Sequence, residues 1–200
     1  MSSPWDQRYL GENYVFGTGP NEFIRRIRPY LPAQGKALDL ATGEGRNAVF
    51  LAECGLHTEG VDLSAVGLEK AAKLAAERGV TVDLRQADLL ALALPPQNYD
   101  VITSVFCHFT EPDRSRFLQH TVAALKPNGL FAGVFYHPNQ IANGTGGPSN
   151  PAMLGTLAEM QAALNGLEWL IAEHRDHELN EGSRHVGMSS VVYLLGKKAV

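Results

Sequence analysis

The stretch Ala37-Leu38-Asp39-Leu40-Ala41-Thr42-Gly43-Glu44-Gly45-Arg46-Asn47 constrains the fold more than any other part of the chain. A short apolar strand ends beside a carboxylate, passes through a turn with two glycines, and opens a helix. An α/β arrangement uses such a segment at the rim of a crevice, because glycine lets backbone approach a ligand and a helix start presents free N–H groups. The acids placed in it narrow the choice of ligand. Asp39 and Glu44 make the turn a poor seat for a pyrophosphate and a good one for a ligand carrying positive charge.

The elements around this turn alternate. Residues 21–31 read as a helix started by Pro20 and Asn21, with Phe23, Ile24, Ile27 and Leu31 as its apolar face. A strand over 36–40 precedes the turn, and a helix from 46 to about 53 follows it and stops at Gly55. A second strand covers 56–63, and Ser64 caps a helix that ends at Gly79. Strands follow over 80–86 and 99–106, the latter apolar enough to be buried on both faces. A helix over 111–125, closed by Pro127-Asn128-Gly129, leads to a strand over 130–136. Alternation of this kind predicts parallel strands with right-handed crossovers.

Beyond Tyr136 the alternation stops. A Gly/Pro/Asn-rich loop over 137–151 and a helix near 154–164 precede two strand-like segments, 167–178 and 185–196. The short link Asn180-Glu181-Gly182-Ser183 pairs them as an antiparallel hairpin. The expected fold is therefore α/β: a doubly wound, mostly parallel, seven-stranded Rossmann-like sheet with a C-terminal antiparallel hairpin. It is expected to be one domain over 1–200: an N-terminal lid and helix (1–31), a cofactor-binding half (36–136), and an acceptor loop with the hairpin (137–200).

Ligands of such sheets bind beyond the carboxyl ends of the strands, and Asp39, Asp62 and Asp88 follow strands one, two and three. The second acid lies 62 − 39 = 23 positions after the first, close to the roughly 20-residue interval at which an acid meets ribose hydroxyls. Gly43, Gly45 and Ala48 also spell G-x-G-x-x-A, a dinucleotide fingerprint that is weak alone. Against a nicotinamide cofactor stand the acids facing its phosphates, the lack of a second half-domain, and an acid after strand three with no task there. A net charge of −4 gives no broad basic surface, which argues against nucleic acid as a partner. Cys54 and Cys107 lack metal-ligand spacing, so no metal is expected. The first residues lack a secretory pattern and no apolar run approaches a membrane span, so a cytoplasmic protein with no membrane partner is expected, as monomer or homodimer.

These residues resemble a known family. Asp-Leu-Ala-Thr-Gly-Glu-Gly-Arg-Asn (39–47) is similar to the first motif of class I S-adenosylmethionine-dependent methyltransferases, and Gly60-Val61-Asp62-Leu63-Ser64 to their second. Gln86-Ala87-Asp88-Leu89 resembles the third, and Tyr99-Asp100-Val101-Ile102 leading to Phe106-Cys107-His108 the fourth-strand motif. Trp5-Asp6-Gln7-Arg8-Tyr9, with Gly17, Pro20 and Asn21, is similar to the lid of the tellurite-resistance and thiopurine-type small-molecule methyltransferases. The resemblance implies S-adenosyl-L-methionine as cofactor. It implies that Asp39 and the backbone at Ala41 and Gly43 hold the methionine amino group, with Gly45 allowing close approach. Asp62 would take the ribose, with Leu63 against adenine, and Asp88 and Leu89 the adenine edge and face. Phe106 would lie near the sulfonium, Trp5, Arg8 and Tyr9 would close over the site, and Arg46 would pair with the cofactor carboxylate. Ala41 departs from the family by standing where a first glycine is usual.

Methyl transfer from a sulfonium needs positioning more than acid–base chemistry. His108, following the fourth strand, is the one candidate base. His137, Asn143 and the loop Gly144-Thr145-Gly146-Gly147-Pro148 are candidates for an acceptor wall, while Arg184 and His185 read as a solvated turn. The Asn/Asp-Pro-Pro-aromatic signature of exocyclic-amine methylation is absent. By resemblance the acceptor is a small molecule: a thiol, a metalloid oxyanion, a halide or a small metabolite. A cofactor-binding protein without transferase activity is the second reading, and an NAD-dependent oxidoreductase the third.

Overall fold

Strand β1 (Lys36–Leu40) lies at the middle of a seven-stranded sheet, with β2 (His57–Asp62) and β3 (Val82–Gln86) on one side. On its other side follow β4 (Tyr99–Val105), β5 (Leu125–Tyr136), β7 (His185–Lys198) and, at the edge, β6 (Leu167–Glu181). The first five strands are parallel and β7 runs antiparallel to both β5 and β6, so the predicted architecture and order of elements are present. This computed structural model describes residues 3–200; Met1 and Ser2, the start of the predicted lid, lie outside the described residues.

The central strands are apolar because helices cover both faces of the sheet. Alternate residues of β5 serve opposite faces: Phe131 and Phe135 join Leu38, Ile102 and Leu118 in one core cluster, whereas Val134 and Tyr136 join Phe23, Ile24 and Ile27 in another. The helices are α1 (Pro4–Tyr9), α2 (Glu22–Arg26), α3 (Arg46–Glu53), α4 (Ala65–Glu77), α5 (Asp113–Ala124), α6 (Gln140–Asn143) and α7 (Leu157–Ala163). Ser64 caps α4 as expected, its side chain accepting from the Gly67 N–H at 3.0 Å. None of the described helices is long and apolar enough to cross a membrane.

Differences from the sequence reading have local causes. The helix expected over 21–31 ends at Arg26 and gives way to a 3-10 turn over Arg28–Tyr30, because Pro29 has no N–H and its ring would clash with the carbonyl four residues back. The helix expected from 154 starts at Leu157, where Thr156 and Glu159 form a reciprocal capping box. Inside the predicted lid, Ser3 and Asp6 form another such box and start α1, which the sequence reading leaves without a helix. The hairpin strands extend beyond the expected bounds, to Glu181 and Lys198.

Candidate cofactor and acceptor site

Strand order reverses direction between β1 and β4, which opens a crevice beyond their carboxyl ends. At this place two non-glycine residues adopt left-handed backbone: Ala41 after β1 (φ 57°) and Phe106 after β4 (φ 54°). Such conformations cost on the order of 1–3 kcal/mol and gather at ligand sites. A cavity of about 420 Å³ fills the crevice, within the range of small-molecule sites. Its wall includes all the expected site residues except Asp39 and Gly45: Trp5, Arg8, Tyr9, Ala41, Gly43, Arg46, Asp62, Leu63, Asp88, Leu89, Phe106 and His108 line it.

Asp39 is held away from the cavity. It is 1% exposed, and its two carboxylate oxygens accept from the Thr42 and Thr103 hydroxyls at 2.6 Å each. Burial raises its pKa to about 6, the two hydroxyls offsetting part of that effect. The Asp39 side chain thus shapes the turn through Thr42 and Thr103 and is not part of the cavity wall. Asp62 does face the cavity. One oxygen accepts from the Gly43 N–H at 2.7 Å and the other from the Ser64 N–H at 2.8 Å, which leaves each oxygen a second lone pair for a ligand hydroxyl. Burial raises its pKa despite those N–H groups. Asp88 is exposed on the opposite rim and accepts from the Leu90 N–H.

The two glycines are required by contact as well as by angle. A methyl group on Gly43 (φ 55°) would stand 2.8 Å from the Tyr9 hydroxyl, and one on Gly45 (φ 86°) 2.5 Å from the Ala71 methyl. Glu44 does not present a free charge to a ligand, because it binds Lys70 at 2.8 Å and accepts from the Val15 N–H at 2.8 Å. It fastens the segment after α1 onto α4. Arg46 is likewise engaged. Its guanidinium binds Glu181 at 2.8 Å and donates to the Phe16 carbonyl at 3.0 Å. In this arrangement Arg46 holds the hairpin end against the N-terminal segment while also lining the cavity. Asn21 joins this clasp, donating its backbone N–H to Asn47 Oδ1 and its side-chain amide to Glu181. Burial alone would raise the Glu181 carboxyl; His185 and Arg46 instead hold it at about 2.

Trp5, Arg8 and Tyr9 come together on α1 over the mouth. Trp5 stacks on Tyr9 at 6.0 Å, and the Arg8 guanidinium lies 4.8 Å above the Trp5 ring. Among the described residues Arg8 has no ion-pair partner, which makes it the free cation at the rim. Below, the far end of the cavity is aromatic. Phe106 stacks on Tyr136 at 4.5 Å and meets the edge of His185 at 4.4 Å, while Gly147 and Pro148 form the side wall. His108 reaches this end with both ring nitrogens buried and unpartnered, and burial lowers its pKa to about 3. His137 and Asn143 do not line this cavity; His137 stacks on His174 at 3.8 Å. His185, read from the sequence as a solvated turn, is 8% exposed and points inward. It escapes sequence reasoning because the hairpin is longer than its alternation suggests and bends over the crevice.

Comparisons with known proteins agree with this geometry. Residues 37–129 match a family described as a methyltransferase domain. A curated relative, the ubiquinone biosynthesis O-methyltransferase of Actinobacillus pleuropneumoniae, is 32% identical over 100 residues, 48% of this chain and 43% of that one. The chain spans about half the length of the curated relatives it matches. Among solved structures, an S-adenosylmethionine-dependent methyltransferase of Methanosarcina mazei superposes with a TM-score of 0.72 at 16% identity, covering 91% of this chain and 99% of that one. TehB of Haemophilus influenzae gives 0.70 at 16% identity, covering 97% and 65%. The fold is that of these methyltransferases.

Proposed function

We propose that this chain, whose residues 37–129 match a methyltransferase-domain family, is a class I S-adenosylmethionine-dependent methyltransferase acting on a small organic acceptor. One observation carries the reading: a single cavity joins an acid–glycine rim suited to a nucleoside amino acid to an aromatic chamber of separate chemistry. The residues fit the cofactor. Asp62 has lone pairs left for ribose hydroxyls, and Asp88 and Leu89 stand where an adenine would lie. Arg8, free at the rim, is the residue suited to a carboxylate in place of Arg46.

Bound there, the cofactor supplies a methyl group already activated on a sulfonium. The chain contributes alignment and exclusion of water. Trp5 and Tyr9 roof the crevice, the Glu44–Lys70 pair fastens the segment behind them, and the clasp of Arg46, Glu181 and Asn21 holds the hairpin as the opposite wall. The curated relatives are named as ubiquinone biosynthesis O-methyltransferases and a demethylmenaquinone methyltransferase, but the matched family segment ends at residue 129, whereas Tyr136, Gly147 and His185 of the acceptor chamber lie beyond it. Those relatives therefore bear on the cofactor more than on the acceptor. Calorimetry tests the reading: S-adenosylhomocysteine should bind and NAD should not. Asp62→Asn should weaken the former about tenfold or more, the order of one lost charge-assisted hydrogen bond. Binding of NAD in preference, or unchanged affinity in the variant, would refute it.

A further inference from the structure

The aromatic end of the cavity contains more unpaired hydrogen-bonding capacity than a folded interior normally keeps. His108 Nδ1 and Nε2, Tyr136 Oη and His185 Nδ1 are all buried without a partner. Buried polar atoms left unpaired cost on the order of 1–3 kcal/mol each, and these belong to three neighbouring rings. The His108 and Tyr136 rings stack at 5.7 Å, and Tyr136 meets the edge of His185 at 5.8 Å. Phe16 at 4.5 Å and Phe106 at 4.4 Å complete the surroundings of His185. Such a chamber suits a flat ring bearing polar groups.

Its charge balance selects further. Arg46 is bound to Glu181 and Lys70 to Glu44, and Arg8 stands at the mouth. Arg46 lines the cavity but is already paired, so a halide or an oxyanion at the aromatic end would be desolvated without an unpaired counter-cation beside it. A neutral acceptor is favoured, and a neutral oxygen nucleophile needs a base.

His185 is built to be that base. Its Nδ1 faces the Glu181 carboxylate at 3.9 Å, across one turn of the hairpin. Glu181 is in turn fixed by Arg46, by the Asn21 amide and by the Glu22 N–H. A neutral imidazole with its Nδ1–H toward that carboxylate carries its lone pair on Nε2, and the ring forms part of the cavity wall. His108 has no carboxylate behind it and is better placed as a hydrogen-bonding partner for the ring. We propose that His185 is the general base of this site, oriented by Glu181, and that the acceptor is a neutral phenol-type hydroxyl on a planar ring. The inference rests on the methyltransferase reading above.

In the step, His185 Nε2 takes the hydroxyl proton while an oxygen lone pair forms the bond to the methyl carbon. The carbon–sulfur bond breaks with its electron pair going to sulfur, which becomes neutral. The proton stays on the imidazolium beside Glu181 until water removes it. Charges facing His185 are Glu181, which favours the imidazolium, and Arg46 and Arg8, which oppose it. Burial lowers its pKa first of all, so the ring is neutral and ready near neutrality. His108 and the chain neighbour Arg184 also lie near it.

Catechol is the probe. Protein saturated with S-adenosylhomocysteine should bind catechol, followed by calorimetry and by shifts of the His185 ring proton in an NMR pH titration. With S-adenosylmethionine it should release the monomethyl ether. His185→Gln should keep S-adenosylhomocysteine affinity but lose about 100-fold or more in turnover, the usual worth of a general base, and lose the His-dependent limb of the pH profile. Glu181→Gln should shift that limb to lower pH. Failure of S-adenosylhomocysteine to bind would overturn the methyltransferase reading itself. Binding of S-adenosylhomocysteine with no catechol binding, methylation of iodide or tellurite instead of catechol, or an unaltered pH profile in His185→Gln would overturn this inference alone.

Discussion

Gly45 occupies a position in the glycine turn where geometry and space both forbid a side chain, and there the obstacle is a helix. Its φ is 86°, and a β-carbon there would lie 2.5 Å from Ala71 Cβ and 2.8 Å from Ala71 Cα on α4. The obstacle includes backbone, so no rotamer change relieves it; the helix must move. Left-handed backbone costs a non-glycine residue about 1–2 kcal/mol, and overpacking adds about 1–3 kcal/mol. The stiffer unfolded chain returns up to about 1 kcal/mol. Gly45→Ala should therefore destabilise by about 1–5 kcal/mol, or roughly 2–20 °C in melting temperature for a chain of this size. Urea unfolding with and without S-adenosylhomocysteine measures both consequences, because α4 also positions Ser64 under Asp62. A loss below about 1 kcal/mol with unchanged ligand affinity would refute the claim that contact with α4 fixes this turn.

Other perturbations follow from the buried ion pairs. Glu44→Gln strands the Lys70 ammonium and should cost about 3–5 kcal/mol in urea unfolding. Adding Lys70→Met should recover part of that loss, and a double variant no better than the single one would contradict the pairing. Limited proteolysis of Glu44→Gln should cut first within residues 14–19, the segment whose Val15 N–H the carboxylate receives. Glu181 has its carboxyl at about 2 against an ordinary 4.5. The unfolded chain therefore takes up that proton first as pH falls. The stability from the pair is complete above about 4.5 and is lost on descending toward about 2, in total about 3 kcal/mol. Glu181→Gln should flatten the stability curve in that window, and an unchanged slope would show that another carboxylate is responsible.

Much of the fold was legible because its signals are local. The bounds expected for β1 and α3 are those observed, since an apolar run and glycines mark each end within a few residues. The start of α1 was legible too, in Ser3-Pro4-Trp5-Asp6, a capping pattern that the sequence reading passed over. The site was legible by position and less so by role. Asp62, Asp88 and the lid trio face the cavity as expected. Asp39, Glu44 and Arg46 each meet a partner that spacing cannot reveal. Thr103 is 64 residues from Asp39, Lys70 is 26 from Glu44, and Glu181 is 135 from Arg46. His185 was missed for the same reason: its surroundings come from four distant segments.

The clasp has a consequence in time. It joins Asn21 to a residue 160 positions further along the chain, and Arg46 to that same Glu181. During synthesis the parallel strands β1 to β4 emerge long before Glu181 leaves the ribosome, so the cofactor half exists for an interval as a floor and one wall. The crevice closes only when the last strand pair is made. A nascent chain stalled before that point would carry every glycine and acid of the motif and still be unable to retain what they were shaped to hold.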